Sequence, residues 1–242
     1  MLFSSIKRIS YLLFIFLSWH PLISQTTEVQ YQETRNIENQ LKQIDNPVIK
    51  ELLIKKIGKP VMFTLLYSKG VSSYQPYTGT LEMPDGSTTV ISENPKSNKV
   101  YKNLDSNEFV KIAHLIEKTV TVSDQLIDFK WIIKDEVVSV GDYSCKIAEG
   151  VYNEKKITAY FTDQINISEG PDVYQGLPGL IVKLDTSDKT YLVKDIIIKK
   201  ENTQIDIPSS KESINRIEFE KLKKEQIEEL KRGFENAKVI KS

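Results

Sequence analysis

Past residue 24 the chain holds one histidine, His114, and one cysteine, Cys145, so little is available for nucleophilic or metal chemistry. A thiol–imidazole dyad is the one pairing of that kind these residues permit. Cys145, however, alternates with Tyr143, Ile147 and Val151, as on one strand face, which is the pattern of a buried structural thiol. Tetrahedral zinc sites draw on several His and Cys ligands, so no metal site is expected. The fingerprints G-x-S-x-G, G-x-G-x-x-G, G-x-x-x-x-G-K-[ST] and H-E-x-x-H and the calcium-loop pattern are missing, so no cofactor is implied. Carboxylates remain: Asp135, Glu136, Asp142, Asp163 and Glu169 could do acid–base work without histidine if two of them converged. Their places at strand ends and turns are where solvated acids are ordinarily found. Trp131, between Phe129 and Ile133, reads as core, and Trp131 and Tyr174 are the candidate pocket-lining aromatics.

The elements that would position these residues follow from periodicity. Residues 36–58 read as helix, with Ile37, Leu41 and Ile44 spaced by four and three. Asn46-Pro47 interrupts it as an N-cap followed by proline at the first helical position, and Gly58 is a natural stop. Residues 59–199 then read as strands. Val61, Phe63, Leu65 and Tyr67 alternate, as do Phe129, Trp131 and Ile133, then Tyr143, Cys145 and Ile147, then Ile157, Ala159 and Phe161. Turns are expected at Pro84-Asp85-Gly86-Ser87, Val140-Gly141-Asp142, Asn153-Glu154 and Ser187-Asp188, with Asn153-Glu154 closing an antiparallel hairpin. Leu180-Ile181-Val182 and Ile196-Ile197-Ile198 are apolar on both faces, which predicts cover on each. At the C-terminus Asn215 and Glu218 fit a capping box ahead of a helix carrying Phe219, Leu222, Ile227 and Leu230 and ending at Gly233. The expectation is an α+β fold in one domain, residues 25–242. Its sheet is predominantly antiparallel, a meander or half-barrel, with an N-terminal helical segment and a C-terminal helix.

Gly176-Leu177-Pro178-Gly179-Leu180-Ile181 stands out among the turns. Proline fixes φ at one central position and glycine accepts positive φ at the next, so Leu177-Pro178-Gly179-Leu180 predicts a type II turn launching a strand. The segment is a structural corner and a candidate binding rim. Around it lie Trp131-Ile132-Ile133, Gly141-Asp142-Tyr143-Ser144-Cys145-Lys146, Ala148, Tyr160-Phe161-Thr162, and Gly170-Pro171 leading to Tyr174-Gln175. With these residues the chain resembles the GLPGLI family of exported bacterial proteins over residues 98–200. The resemblance implies export in bacteria mainly of the Bacteroidota, and no activity. At Asp172 the chain departs from that pattern, which often has an aromatic residue, commonly Trp.

The chain has 242 residues with 33 basic and 33 acidic side chains, and this balance argues against a nucleic-acid partner. Hydrophobic residues make up 40%, enough for a sizeable core without disulfides, which a single cysteine at position 145 could not form. Lys7 and Arg8, the apolar run from Ile9 to Leu17, Pro21 and the small Ser24 have the layout of a secretory signal peptide over residues 1–24. The apolar run is too short to span a bilayer, which needs about 20 residues, and no cysteine follows it for lipidation. The functional expectation is an exported, non-enzymatic protein of the periplasm or outer membrane that binds an apolar ligand or an envelope protein through a sheet face. The alternatives are a structural partner in outer-membrane assembly and a carboxylate-based hydrolase. N-terminal sequencing of the exported protein is expected to begin at Gln25 or within a residue or two of it; a start at Met1 would refute cleavage.

Overall fold

A computed structural model describes residues 25–239, apart from residues 43, 58, 83–87, 92–96 and 116–117. The signal-peptide segment, Gly58 and the turn expected at Pro84-Asp85-Gly86-Ser87 lie outside the described residues. The chain opens with a strand, β1 (Thr26–Arg35), and two helices, α1 (Glu38–Lys42) and α2 (Pro47–Ile57). A run of strands follows: β2 (Val61–Ser68), β3 (Val71–Pro76), β4 (Gly79–Glu82), β5 (Thr88–Ile91), β6 (Lys99–Asn103), β7 (Glu108–His114) and β8 (Thr119–Gln125). Then come β9 (Ile132–Val140), β10 (Tyr143–Tyr152), β11 (Lys155–Thr162), β12 (Leu180–Asp185), β13 (Lys189–Lys199) and the long helix α3 (Arg216–Val239).

Eleven strands form one antiparallel sheet in the order β8-β7-β6-β3-β2-β1-β13-β12-β11-β10-β9, and β4 and β5 make a separate hairpin. The edge strands β8 and β9 are consecutive in sequence, joined only by residues 126–131. Laid flat, eleven strands would put their edges about 48 Å apart. Six linking residues reach about 25 Å at most. The sheet must therefore curl until its edges approach each other, although they do not hydrogen-bond.

Each edge is protected in its own way. Ile214 pairs along β8, its N–H donating to the Thr121 carbonyl and its carbonyl accepting from Ser123 N–H, both at 2.9 Å. On β9, Val137 pairs with Lys146 and Ile133 with Ala148, leaving Lys134, Asp135 and Glu136 opposite Ile147 alone. A charged bulge of this kind bends the edge and discourages another chain from adding a strand.

Several local expectations hold. Asn46 caps α2, its Oδ1 accepting from Val48 N–H at 2.9 Å. Asn215 and Glu218 form the reciprocal capping box, with Glu218 N–H donating to Asn215 Oδ1 at 2.9 Å and Asn215 N–H to Glu218 Oε2 at 3.3 Å. Tyr152 pairs with Lys155 across Asn153-Glu154, both in the left-handed region with φ of 49° and 63°, as a type I′ hairpin requires. Ile157, Ala159 and Phe161 are all buried, and so are Leu180, Ile181 and Val182.

Others are corrected. The strand β1 precedes the helical segment and takes the centre of the sheet. It escaped notice because its buried face combines Thr27, Val29, Tyr31 and Glu33, a mixture in which an apolar period of two is hard to see. Phe129 and Trp131 lie in the linker before β9, not on a strand. On β10 the buried face changes at the bulge: Cys145 is buried, then Ala148 and Gly150, while Val151 is exposed. At the end of β13, Ile197 and Ile198, on opposite faces, are both exposed although each face was expected to be covered. The helix α3 runs through Gly233 to Val239.

The hexapeptide turn also differs. Gly179 N–H donates to the Leu177 carbonyl at 2.8 Å, and Leu180 N–H goes instead to Ile165 O at 3.2 Å. This is a three-residue γ-type turn centred on Pro178, tighter than the expected type II turn because the strand start is pulled onto residue 165. Gly179 keeps the positive φ, at 147°. A Cβ there would stand 2.1 Å from the Thr162 carbonyl oxygen. At Gly150 a Cβ would meet the Trp131 ring at 2.9 Å. We predict that Gly179→Ala costs on the order of 3 kcal/mol in urea unfolding and Gly150→Ala about 1–3 kcal/mol, while Pro178→Ala costs less than about 1 kcal/mol. Equal, negligible effects at Gly179 and Pro178 would contradict this turn.

Candidate functional site

The loop between β11 and β12, residues 163–179, crosses the inner face of the curled sheet. Its backbone knits to itself, Gly176 N–H donating to Ser168 O at 3.1 Å and Ile181 N–H to Glu169 O at 3.0 Å. One charged pair fastens it. Lys102 on β6 and Glu169 in the loop are both fully buried, with Nζ and Oε2 at 2.5 Å. The Lys102 ammonium gives its other protons to the carbonyls of Gly170 at 3.0 Å and Tyr174 at 3.1 Å. Glu169 accepts from Ser72 Oγ at 2.8 Å and from Gly170 N–H at 3.3 Å. Tyr31, from the centre of the sheet, donates to Ile181 O at 2.6 Å. Every polar atom of this cluster is engaged, so it holds structure and offers nothing to a ligand.

A second seam joins the loop to the linker between the sheet edges. Trp131 Nε1 donates to Gln175 O at 2.9 Å, and Gln175 Nε2 to Ile127 O at 2.8 Å. Trp131 stacks on Phe129 with centroids 5.2 Å apart, and Phe129 contacts Tyr152 and Tyr174. Of the six motif residues, Leu177, Gly179, Leu180 and Ile181 are buried, while Gly176 and Pro178 face outward. Gly176 borders a shallow hollow of about 220 Å³ against residues 126–129. The sheet's inner face is thus filled by residues 163–179 and is not the open apolar groove expected from strand composition.

The larger hollow is a cleft of about 640 Å³ between this loop, the strand ends and the first turns of α3. The helix is placed by Arg216, whose backbone N–H donates to Asp124 Oδ2 at 3.1 Å and whose guanidinium lies over the Phe109 ring at 4.5 Å. Phe219 then packs into the core. Tyr152, Tyr174, Tyr191 and Phe219 give the cleft its aromatic wall, and Lys111, Asp172 and Lys189 its charges. Tyr174 stands edge-on to both Tyr152 and Tyr191, with centroids 5.7 and 5.9 Å apart.

Asp172 sits at the loop corner with φ of 49°, a left-handed conformation that aspartate tolerates better than most side chains. Burial works to raise its carboxyl, but Lys111, Lys189 and Lys102 together outweigh that and hold it below the usual range. Lys111 Nζ is 3.5 Å from Asp172 Oδ1. Lys189 Nζ is 2.6 Å from Glu33 Oε2, and Tyr74 donates to Glu33 Oε1 at 2.9 Å. Burial pushes the Glu33 carboxyl up, and Lys189 only partly offsets it. Burial also raises the phenols, Tyr152 to about 12 and Tyr174 and Tyr191 further, with Asp172 adding to each. All three tyrosines therefore stay protonated at neutral pH. Tyr174 and Tyr191 are largely enclosed, at 5% and 3% exposed, but both line the cleft, and among the described residues neither hydroxyl hydrogen-bonds a protein group.

The residues singled out from sequence are divided by this geometry. Tyr174 lines the cleft, whereas Trp131 seals the sheet edges and the hexapeptide anchors the loop. His114 reaches the cleft rim, where its Nδ1 is 2.8 Å from Thr119 Oγ1. Cys145 Sγ is engaged with the Tyr143 carbonyl at 3.7 Å and His114 Nδ1 with Thr119, so the two are not paired as a dyad. The buried Cys145 thiol is pushed above its ordinary range by desolvation. Asp135, Glu136, Asp142 and Asp163 are scattered and exposed. Glu169, expected to be solvated, is fully buried. Missed altogether were Glu33, Lys111, Asp172, Lys189, Tyr152 and Tyr191 as one cluster. The only local signal was Gly170-Pro171-Asp172, a turn sequence with an acid at its tip. Among the described residues no group of three or more His, Cys, Asp or Glu could hold a metal ion. No helix among them is long and apolar enough to cross a membrane.

Comparison with known proteins places part of this architecture. A family model described as "Protein of unknown function (Porph_ging)" matches residues 146–183, from β10 through the loop into β12. This is a domain of Porphyromonas- and Bacteroidota-type proteins. The match contains β11, the loop, the hexapeptide and the first part of β12, and brings no activity with it. No curated protein matches the chain. Two structures of PNGF-II, in C2 and P21 space groups, align with a TM-score of 0.49 each at 15% and 14% identity. They cover 75% of this chain, which spans only 28% and 29% of theirs.

Because Lys102 and Glu169 are buried as a pair, removing one partner strands a charge. We predict that Lys102→Met or Glu169→Gln each costs about 3–5 kcal/mol in urea unfolding, while Lys102→Met with Glu169→Leu recovers most of it. A solvated Glu169, as its place beside a turn suggested, would make Glu169→Gln silent, and single-variant losses below about 1 kcal/mol would restore that reading.

Proposed function

We propose that this is an exported, non-enzymatic binding protein of the cell envelope and that its ligand sits in the cleft walled by Tyr152, Tyr174, Tyr191 and Phe219. The observation that carries the reading is that Tyr174 and Tyr191 line the cleft and neither hydroxyl hydrogen-bonds a protein group among the described residues. A ligand whose acceptors meet those two hydroxyls would replace water in the cleft. The aromatic wall and the positive φ of Asp172 point the same way, since strained residues concentrate at ligand sites. Against catalysis, Glu33 has both carboxyl oxygens engaged by Lys189 and Tyr74, and the acids named from sequence do not meet. The ligand reading shifts from an apolar sheet face to a polar, aromatic cleft.

Native mass spectrometry of protein purified from its own periplasm tests this. Wild type is expected to carry a near-stoichiometric added mass. Ser187→Trp, which blocks the mouth from an exposed turn, should lose it, while Asp135→Asn and Asp163→Asn retain it. An unliganded wild type, or equal loading of Ser187→Trp, would overturn the proposal.

A further inference from the structure

We infer that the ligand of this cleft carries an oxyanion, a carboxylate or phosphate, that lies between Lys111 and Lys189 and accepts hydrogen bonds from the hydroxyls of Tyr174 and Tyr191. The inference rests on the binding reading above and deepens it.

It comes from a count of donors and acceptors. Each lysine ammonium has three N–H donors. Lys111 spends one, on a long 3.5 Å contact with Asp172, and Lys189 spends one on Glu33. The two phenols add a free donor each. On the acceptor side Glu33, which takes bonds from Lys189 and Tyr74, does not line the cleft, and Asp172 is the carboxylate that lines it beside Lys111 and Lys189. Charges at the rim are already paired with one another: Lys155 with Asp188 at 3.1 Å and Lys223 with Glu220 at 3.4 Å. The floor is therefore rich in donors, and what satisfies it is an acceptor-rich group. A neutral apolar ligand would leave the two ammoniums and two hydroxyls unmatched, at a desolvation cost. A cation would meet Lys111 and Lys189 directly. An oxyanion takes several N–H and O–H donors at once and gains the stronger, charge-assisted kind of hydrogen bond. Asp172 does not bar it, because three lysines already act on its carboxylate.

The test uses the purified protein, titrated at constant ionic strength with inorganic phosphate, with acetate, and with glycerol as the neutral control, while thermal unfolding and tyrosine difference absorption are followed. Phosphate or acetate is expected to raise the unfolding temperature in a saturable way, and the stronger of the two distinguishes the phosphate from the carboxylate source. Tyr174→Phe and Tyr191→Phe should each weaken that anion's binding five- to twentyfold, and Lys111→Met at least tenfold. The free Phe variants should unfold at about the wild-type temperature or above it, because they delete a hydroxyl that bonds to no protein group among the described residues. A merely structural role for these tyrosines would lower it. Saturable stabilisation by glycerol alone, or anion affinity unchanged in all three variants, would overturn the inference. If neither anion binds but a co-purified mass is still lost in Ser187→Trp, the oxyanion assignment fails and the cleft remains the binding site. If that mass is missing too, both fail.

Discussion

The whole arrangement hangs on a lysine and a glutamate that never meet water. Lys102 belongs to β6, near one end of the strand order, and Glu169 to the loop that leaves β11, near the other. Burying either charge alone would be prohibitive; buried together, with Ser72 and the backbone of Gly170 and Tyr174 filling the remaining bonds, they form a closed set. Their contribution lies less in net stability than in uniqueness. An apolar pair could slide, but an ammonium with three fixed acceptors fits the loop in one register. That register carries Tyr174 and Asp172 to the cleft and delivers Leu180 and Ile181 to the core.

Curling makes this possible. Only because the sheet's edges are drawn together by residues 126–131 does a loop from β11 reach a strand on the far side. The same linker supplies Phe129 and Trp131, which close the gap through Gln175. Gly150 matters here because the Trp131 ring lies where its side chain would be. Packing and polar bonding thus act on one segment from two sides.

Two clusters of charge lie along the same loop and differ in one respect. Around Lys102 and Glu169 every donor meets an acceptor, so the cluster is inert. Around Asp172 the donors exceed the acceptors and two hydroxyls are unmatched. Donors that line a cleft and bond to no protein group mark where a ligand is to be sought. Burial alone would not separate the two, since Tyr174 and Tyr191 are nearly as enclosed as Glu169.

Local chemistry was legible in the residues themselves. Asn46 and Asn215 announce helix starts because a side-chain oxygen reaches a backbone N–H within three residues, a bond that needs no tertiary partner. The hairpin at Asn153-Glu154 and the alternation of Ile157, Ala159 and Phe161 are local in the same sense, and so is the positive φ of Gly179. Tertiary structure decided the rest. It made Thr26–Arg35 the central strand despite its mixed composition, because polar side chains such as Glu33 can be buried where distant residues neutralise them. Opposite the β9 bulge the buried face of β10 turns over between Cys145 and Ala148, and an irregularity set by the neighbouring strand leaves no mark in an apolar pattern. Tyr152, Tyr174 and Tyr191 are spread along the chain, each readable as ordinary core. Only the curl of the sheet and the anchored loop bring them to one cleft, because contacts between distant segments depend on where the backbone travels and not on which residues are neighbours.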